Sequence, residues 1–461
     1  MSYLALDLGA GSGRAIVGTI NDNKIVLDEI HRFTNRQVQL GDTLYWDFPA
    51  LFTEIKQGIT NAVKKAYNIE GIAVDTWGVD FGLLDNKGRL LSNPVCYRAS
   101  RTNGMLGIAY KSIEKEYFFS ITGNQFMEIN SAFQLMSMVM ENAPQLSIAK
   151  KLLFTPDLFN YFLTGIAANE YTIASTSQLI NAQTREWEKE VFQKLNLPVN
   201  ILQNIVQPGN KLGSLLPSIA NETGANNANV FNVGSHDTAS AVAAIPAKGN
   251  DWLYISSGTW SLMGVESDNA IMTGEALKND FTNEGGVGGK IRFLRNITGL
   301  WLLQCLIKEW EKNGFVCDYD MLLAEAANAT AFQSIVNVDD AVFSNPASMQ
   351  AAINEYCRNT NQPEPKSKAE YVRTILESLA LKYKSVLKSL QKCTGKHYKQ
   401  VHVVGGGCRN KLLNQYTADA LGIELIAGPV EATALGNIMI QAWANGEIKS
   451  LEEGRQLIGK S

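Results

Sequence analysis

The sequence predicts an α/β protein of two related domains that face each other across a cleft. Three observations carry this expectation. The chain has 461 residues, which is too long for one hydrophobic core. A strand–turn–strand pattern, YLALDLGAGSGRAIVG from residue 3, returns as WLYISSGTWSLMGV from residue 252, about half a chain later. Late in the chain, VHVVGGGCRNKLLNQYTADALG reads as a strand, three glycines and a helix.

The elements follow in order. Residues 3–8 form a short apolar run and read as a buried strand. GAGSGR is a turn, and the β-branched AIVGTI after it is a second strand, so this turn joins strands and does not open a helix. Asn21–Lys24 is a turn signal before the strand IVLDEIHRF. Asp47 suits a helix N-cap, and Phe48, Leu51, Phe52, Ile55, Ile59 and Val63 follow at helical spacing. GIAVDTWGVDFGLLD reads as strand, turn, strand, which gives β-β-β-α-β in the first ninety residues. Residues 100–200 are mainly helical and carry few chemical signals. VFNVGS is a strand running into His236-Asp237, and AIPAKGND, residues 244–251, marks a domain boundary. The division is therefore 1–244 and 245–461. Residues 369–391 carry an apolar stripe including Val372, Ile375, Leu379, Tyr383 and Val386, and a last helix runs from Glu431 to Asn445.

Composition narrows the function. Forty-one basic and 45 acidic residues leave a net charge of −4, without the basic footprint of a nucleic-acid binder. No apolar stretch approaches the ~18 residues of a membrane span. MSYLALDLG lacks the basic start of a secretory leader. The six cysteines are nowhere closer than twelve positions, so they read as free thiols in a reducing compartment. A cytoplasmic protein acting on small molecules is expected.

Several motifs could carry chemistry. The turn Ala10, Gly11, Ser12, Gly13 and Arg14 offers backbone N–H groups and open space to phosphate oxygens. An ordinary glycine hairpin would read the same. Asp7, just before that turn, could hold Mg²⁺ through water, or accept hydrogen bonds from turn amides. Ser256-Ser257-Gly258-Thr259 is the matching turn of the second half. Gly405-Gly406-Gly407 lets a ligand, or a crossing helix, approach the backbone. Asp237 stands between a strand and a prospective helix, where it could accept a proton from a substrate hydroxyl or simply cap the helix. Asp75, Trp77 and Asp80 combine an aromatic face with hydroxyl acceptors, a sugar-friendly set that a core tryptophan with turn-capping aspartates would also give.

Together these pieces resemble the actin-like, sugar-kinase class of ATPases. DLGAGSGR, DTWGVDFGLLD, YRASRTNGM, SHDTASAV, YISSGTWSLMG, NEGGVGG, NITGLWLLQ, VHVVGGGCRN and AGPVEATALGN resemble the FGGY carbohydrate kinases, from residue 3 to about 445. The resemblance implies two actin-like (ribonuclease H-like) domains flanking an ATP/sugar cleft. The N-terminal domain would bind sugar and phosphate, and the C-terminal one nucleotide. It implies transfer of the γ-phosphoryl group of ATP to the 1-hydroxyl of L-rhamnulose with Mg²⁺ present. Asp237 would be the proton acceptor. Gly78, His236, Thr238 and Asn296 would complete the sugar pocket. Ala10 to Arg14, Thr259, Gln304 and Gly406 would hold ATP. Gly11 replaces the first serine of the family's usual Gly-Ala-Ser-Ser-Gly turn, which removes a hydroxyl and keeps the backbone cradle. Three other readings compete: a kinase of the same family for L-fuculose or a pentulose, a nucleotide-gated scaffold on the same fold, and a nicotinamide-dependent oxidoreductase. The strand after Gly13 argues against the last, because a dinucleotide fingerprint opens a helix.

Overall fold

A computed structural model describes residues 1–21 and 23–461. Asp22, in the turn expected at Asn21–Lys24, lies outside the described residues; its neighbours Asn21 and Lys24 are paired across antiparallel strands. The chain divides into two compact units: Met1–Pro246 with Glu266–Phe293 and Ala432–Ser461, and Ala247–Val265 with Leu294–Glu431.

The first unit is built on a six-stranded sheet. Its order is Asn210–Ser214, Asn229–Asn232, Ile69–Thr76, Ser2–Leu8, Ser12–Asn21, Lys24–Thr34. The three N-terminal strands are antiparallel, whereas Ile69–Thr76 runs parallel to Ser2–Leu8 and to Asn229–Asn232. Leu4, Leu6, Leu8, Ala15 and Val17 are buried in one core with Leu51, Ile55 and Ile59 of helix Phe48–Lys64. The expected cap holds: the Asp47 carboxylate accepts from the Ala50 N–H at 3.2 Å. Two short strands that the sequence did not announce, Gln37–Leu40 and Thr43–Trp46, pair before that helix. The opposite face of the sheet is covered by helix Ala432–Ala444. A methyl at Gly18 would meet the Ile438 side chain, and Gln441 Nε2 donates to the Leu4 carbonyl at 3.1 Å. Around this sheet a second core gathers Phe118, Phe133, Leu152, Phe154, Ile173 and Phe192 from the largely helical span 100–200.

The second unit repeats the first unit's central pattern. Trp252–Ser257 pairs antiparallel with the strand beginning at Trp260 and parallel with Gln400–Val404, which in turn runs parallel to Glu424–Ala427. Its longest helix, Lys368–Thr394, starts at a Ser367 cap and ends at Gly395, whose φ of 67° suits glycine. Its apolar stripe is buried as the spacing predicted, and Tyr383 meets Ser261 Oγ at 2.7 Å.

The two units and the expected division at 244/245 describe the chain differently. Glu266–Phe293 and Ala432–Ser461 follow the boundary in sequence but pack with the first unit. The physical reason for the last segment is specific. Asn437 and Gln441 donate to Asp75, Ala73 and Leu4 of the first sheet.

Candidate active site

In the first unit the hairpin forms as expected, with Leu8 opposite Gly13 and Asp7 opposite Arg14. That register brings Arg14 Nη2 within 2.5 Å of Asp7 Oδ2. Gly11 is exposed, and a Cβ there would meet nothing within 4 Å. The turn therefore presents an open backbone cradle with a guanidinium on one flank.

Asp75 lies next to Asp7 on the neighbouring strand, directly in register. It is wholly buried. Burial, then the charges of Asp7 and Asp237, push its carboxyl well above the ordinary range; the Asn437 hydrogen bond and Arg14 oppose the shift. Three carboxylates and one arginine thus share one electrostatic neighbourhood. Asp237 is its open member: its side chain is 29 % exposed, against 9 % for Asp7.

Asp237 is the first residue of helix Asp237–Ala243, and His236 is the N-cap. Asp237 therefore does not act as the cap, the alternative left open by sequence. Its Oδ1 accepts from Thr238 Oγ1 at 3.0 Å and lies 3.6 Å from His236 Nε2. The other face of His236 is buried: its Nδ1 is 2.9 Å from Arg292 Nη2 and 3.3 Å from Glu284 Oε2. Behind it, Glu170 Oε2 accepts from the Ser235 N–H at 3.2 Å and Thr172 Oγ1 accepts from the His236 N–H at 3.2 Å. The strand-to-helix corner carrying Asp237 is thus fixed by buried polar groups. Gly78 follows the end of strand Ile69–Thr76, and a Cβ there would press on Thr176 at 3.3 Å.

Of the two alternatives their composition left open, Trp77 and Asp80 form the core tryptophan with a turn-securing aspartate. Asp80 Oδ2 accepts from Trp46 Nε1 at 2.6 Å, Trp77 Nε1 at 2.9 Å and the Tyr97 N–H at 3.2 Å, and Oδ1 accepts from Gln134 Nε2 at 3.0 Å. Trp77 packs on Trp46 with ring centroids 4.1 Å apart. Burial pushes the Asp80 carboxyl up to about 6 against these hydrogen bonds. Both oxygens are occupied inside the protein, so Asp80 secures the turn after Ile69–Thr76.

In the second unit, Thr259 Oγ1 donates to Gln304 Oε1 at 3.0 Å. The turn Gly258-Thr259 also accepts from the amides of Leu300 and Trp301, which begin helix Trp301–Lys312. Asn296 lies in strand Ile291–Thr298. Gly405 has a φ of 82°, and a Cβ at Gly407 would overlap the Ser257 side chain, so these two glycines serve the close crossing of turn and strand. Gly406 is different: a Cβ there would meet nothing within 4 Å. Its backbone is the open one of the three. Thr259 and Gln304 are brought together, and Gly11 in the first unit and Gly406 in the second each leave an open backbone face.

The halves match two domain models of one family: the N-terminal domain of the FGGY carbohydrate kinases over residues 2–244, and the C-terminal domain over 253–445. The chain belongs to the FGGY family of carbohydrate kinases. It is 44 % identical to a rhamnulokinase of Bacteroides thetaiotaomicron over all of this chain and 94 % of that one. It is 39 % identical to a rhamnulokinase of Oceanobacillus iheyensis, over 99 % of this chain and 96 % of that one. The fold is that of FGGY sugar kinases of known structure. A gluconate kinase from Lactobacillus acidophilus superposes with a TM-score of 0.81 at 16 % identity, covering 99 % of this chain and 92 % of that one. A Plasmodium falciparum glycerol kinase with ADP gives 0.78 at 14 % identity, over 99 % and 92 %.

As an FGGY kinase the chain is an enzyme, and its family implies ATP and typically a divalent metal. Among the described residues no three His, Cys, Asp or Glu side chains gather as a metal cage. A carboxylate such as Asp7, beside the open Gly-rich turn, suits the partial, water-mediated ligation that Mg²⁺ accepts. No helix among the described residues is long and apolar enough to cross a membrane. All six cysteines are free thiols. Sequence reasoning missed Glu170, Glu284, Arg292 and Asn437. Only Glu170 had a local signal: Glu-x-Thr opening a helix, where its carboxylate accepts from the Thr172 and Ile173 amides.

Proposed function

We propose that this chain transfers the γ-phosphoryl group of ATP to the 1-hydroxyl of L-rhamnulose, giving L-rhamnulose 1-phosphate and ADP. The observation that carries this reading is the full-length similarity, 39–44 % identical, to proteins named rhamnulokinase. Asp237 is the proton acceptor. It is the most open carboxylate of its cluster, and Thr238 orients one of its oxygens. As the new O–P bond forms and the bond from the γ-phosphorus to the β-phosphate oxygen breaks, the hydroxyl proton passes to Asp237, and ADP leaves. The protein's work here is positioning and charge stabilisation rather than covalent chemistry.

The other roles divide by unit. Gly78, His236 and Thr238 of the first unit and Asn296 of the second contact the sugar. The exposed backbone at Gly11 and Ser12, flanked by Ala10, Gly13 and Arg14, receives phosphate oxygens in the first unit, although Gly13 itself packs on Phe33; Thr259, Gln304 and Gly406 hold ATP in the second. Asp7 is the carboxylate to hold Mg²⁺ through water, and the ion would neutralise phosphate charge. The division at 244/245 marks the two sequence halves with these separate tasks. Six free thiols and the need for ATP both suit the cytoplasm.

The test is ADP release from Mg-ATP with L-rhamnulose, L-fuculose, L-xylulose, D-xylulose and glycerol, beside Asp237→Ala. The expected result is strong preference for L-rhamnulose and loss of at least a hundredfold in kcat in the variant, the scale of general-base catalysis. Preference for another sugar would move the substrate within the family. Undiminished turnover by Asp237→Ala would remove it as the base.

A further inference from the structure

Arg292 is a cation with no exposed surface. Its partners are few and directional. Nε donates to the Gly285 carbonyl at 2.8 Å, and Nη2 lies 3.0 Å from Glu284 Oε2 and 2.9 Å from His236 Nδ1. Burial alone would push the Glu284 carboxyl up, yet the neighbouring positive charge of Arg292, first among the opposing effects, holds Glu284 below the ordinary range. Glu284 is therefore an anion, and Arg292 its counter-ion.

The contact to His236 has a chemical consequence. A guanidinium has donors only and cannot accept. Two groups compete for His236 Nδ1: Arg292 Nη2 at 2.9 Å, toward which the nitrogen must accept, and Glu284 Oε2 at 3.3 Å, toward which it would donate. The shorter contact prevails, because a proton on Nδ1 would point into the guanidinium N–H, so the lone pair of Nδ1 faces Arg292. The ring proton then sits on Nε2, the nitrogen on the Asp237 side, 3.6 Å from Asp237 Oδ1. That spacing exceeds an ordinary hydrogen bond, so the Nε2–H has a partner still to take.

We propose that Arg292 is a positioning residue: it locks His236 as the Nε2–H tautomer, so that His236 presents a hydrogen-bond donor, and never an acceptor, to a sugar oxygen beside Asp237. This rests on the reading of His236 as a sugar contact, and it deepens that reading. A donor-only contact makes His236 read an acceptor oxygen, a carbonyl or a hydroxyl lone pair, while Asp237 takes the hydroxyl proton. The two neighbours thus divide donor and acceptor duty toward one substrate. Glu284 holds Arg292 in place and does not touch the sugar.

The test has two arms. The chain has only four histidines, so ¹⁵N-histidine labelling gives a spectrum in which His236 is assigned by its loss in His236→Gln. At pH 7.5, without sugar or nucleotide, His236 is expected to show an unprotonated Nδ1 and a protonated Nε2. A proton on Nδ1, or on both nitrogens, overturns the proposal whatever the enzyme's substrate proves to be. The second arm is Arg292→Lys, which keeps a positive charge for Glu284 but lacks the planar fork. The expected result is about a tenfold rise in KM for L-rhamnulose, the scale of one hydrogen bond, with KM for ATP unchanged and the tautomer preference lost. Unchanged KM for the sugar with a mixed tautomer would refute the positioning role. If Arg292→Lys does not fold, the labelled wild-type spectrum still decides the tautomer. Inactivity of the wild type toward all the sugars, with the expected spectrum, would refute the substrate and leave the lock intact.

Discussion

Replacing Gly436 by alanine sets two physical effects against each other. Gly436 lies inside helix Ala432–Ala444, where alanine is favoured by about 1 kcal/mol on helix propensity alone. The same position faces the backbone of helix Asp237–Ala243. An added Cβ would overlap the Ser240 carbonyl oxygen and come within 2.6 Å of its carbon. Both are main-chain atoms, so no rotamer change relieves the overlap. The helices must part by roughly 1.5 Å to reach the ~3.5 Å spacing of packed atoms. Overpacking of this kind costs about 1–3 kcal/mol. Moving the helix also strains the bond from Asn437 to the protonated Asp75, worth about 0.5–1.5 kcal/mol between neutral groups. The opposing terms leave a net loss of about 2 kcal/mol, seen as a thermal midpoint lower by about 2–4 °C. Asp237 rides on the displaced helix, and a 1 Å misplacement costs turnover about a hundredfold. The measurement is thermal unfolding and sugar-stimulated ADP release, with Gly107→Ala as control. Gly107 is an exposed helix residue whose added Cβ meets nothing within 4 Å, so the same chemical change there should stabilise. If Gly436→Ala were as stable as Gly107→Ala and fully active, the close-contact argument would fail.

Two further outcomes follow from buried carboxylates. Burial pushes Glu170 up from 4.5 to about 7. The folded protein then holds a proton that the unfolded chain has lost, so this stability is complete below pH 4.5 and disappears as pH rises through about 7. At 1.36 kcal/mol per unit the span is about 3 kcal/mol, and urea unfolding of Glu170→Gln across that range should show a flatter slope than wild type. An equal slope in both would exclude Glu170 as its source. Trp46→Phe removes the 2.6 Å hydrogen bond to Asp80 and shrinks a side chain only 1 % exposed. A loss of about 3 kcal/mol in urea unfolding is expected, and a loss below about 1 kcal/mol would mean Asp80 does not anchor the tryptophans.

The parts legible in sequence were those that chemistry writes locally. Alternating apolar residues around Gly-rich turns announced both hairpins, because a strand–turn–strand has only short-range partners. Asp237 was legible as a polar residue at a strand-to-helix corner, and the stripe from Val372 to Leu390 gave the longest helix nearly to its ends. What failed is long-range. Arg292 and Glu284 reach His236 from about fifty residues away, and Asn437 reaches Asp75 across most of the chain. Nothing in periodicity encodes such a meeting. The span 100–200 looked chemically silent, yet Gln134, Glu170 and Thr172 buttress the turns that carry Asp80 and Asp237. Trp77 and Asp80 stayed ambiguous in sequence because an indole N–H and a carboxylate satisfy each other as readily as they satisfy a sugar, and the structure takes the core alternative.

The helix Ala432–Ala444 also sets an order of events in the cell. It supplies the second face of a sheet whose first strand is residues 2–8, and Asn437 on it donates to the buried Asp75. A ribosome that has released residues 1–246 has therefore made the sheet without its cover. Gly18, Gly71 and Asp75 stay wet until residues 432–461 emerge. Those residues must be made before the first unit can close, and a chain lacking them lacks the cover that dries the sheet beside Asp75.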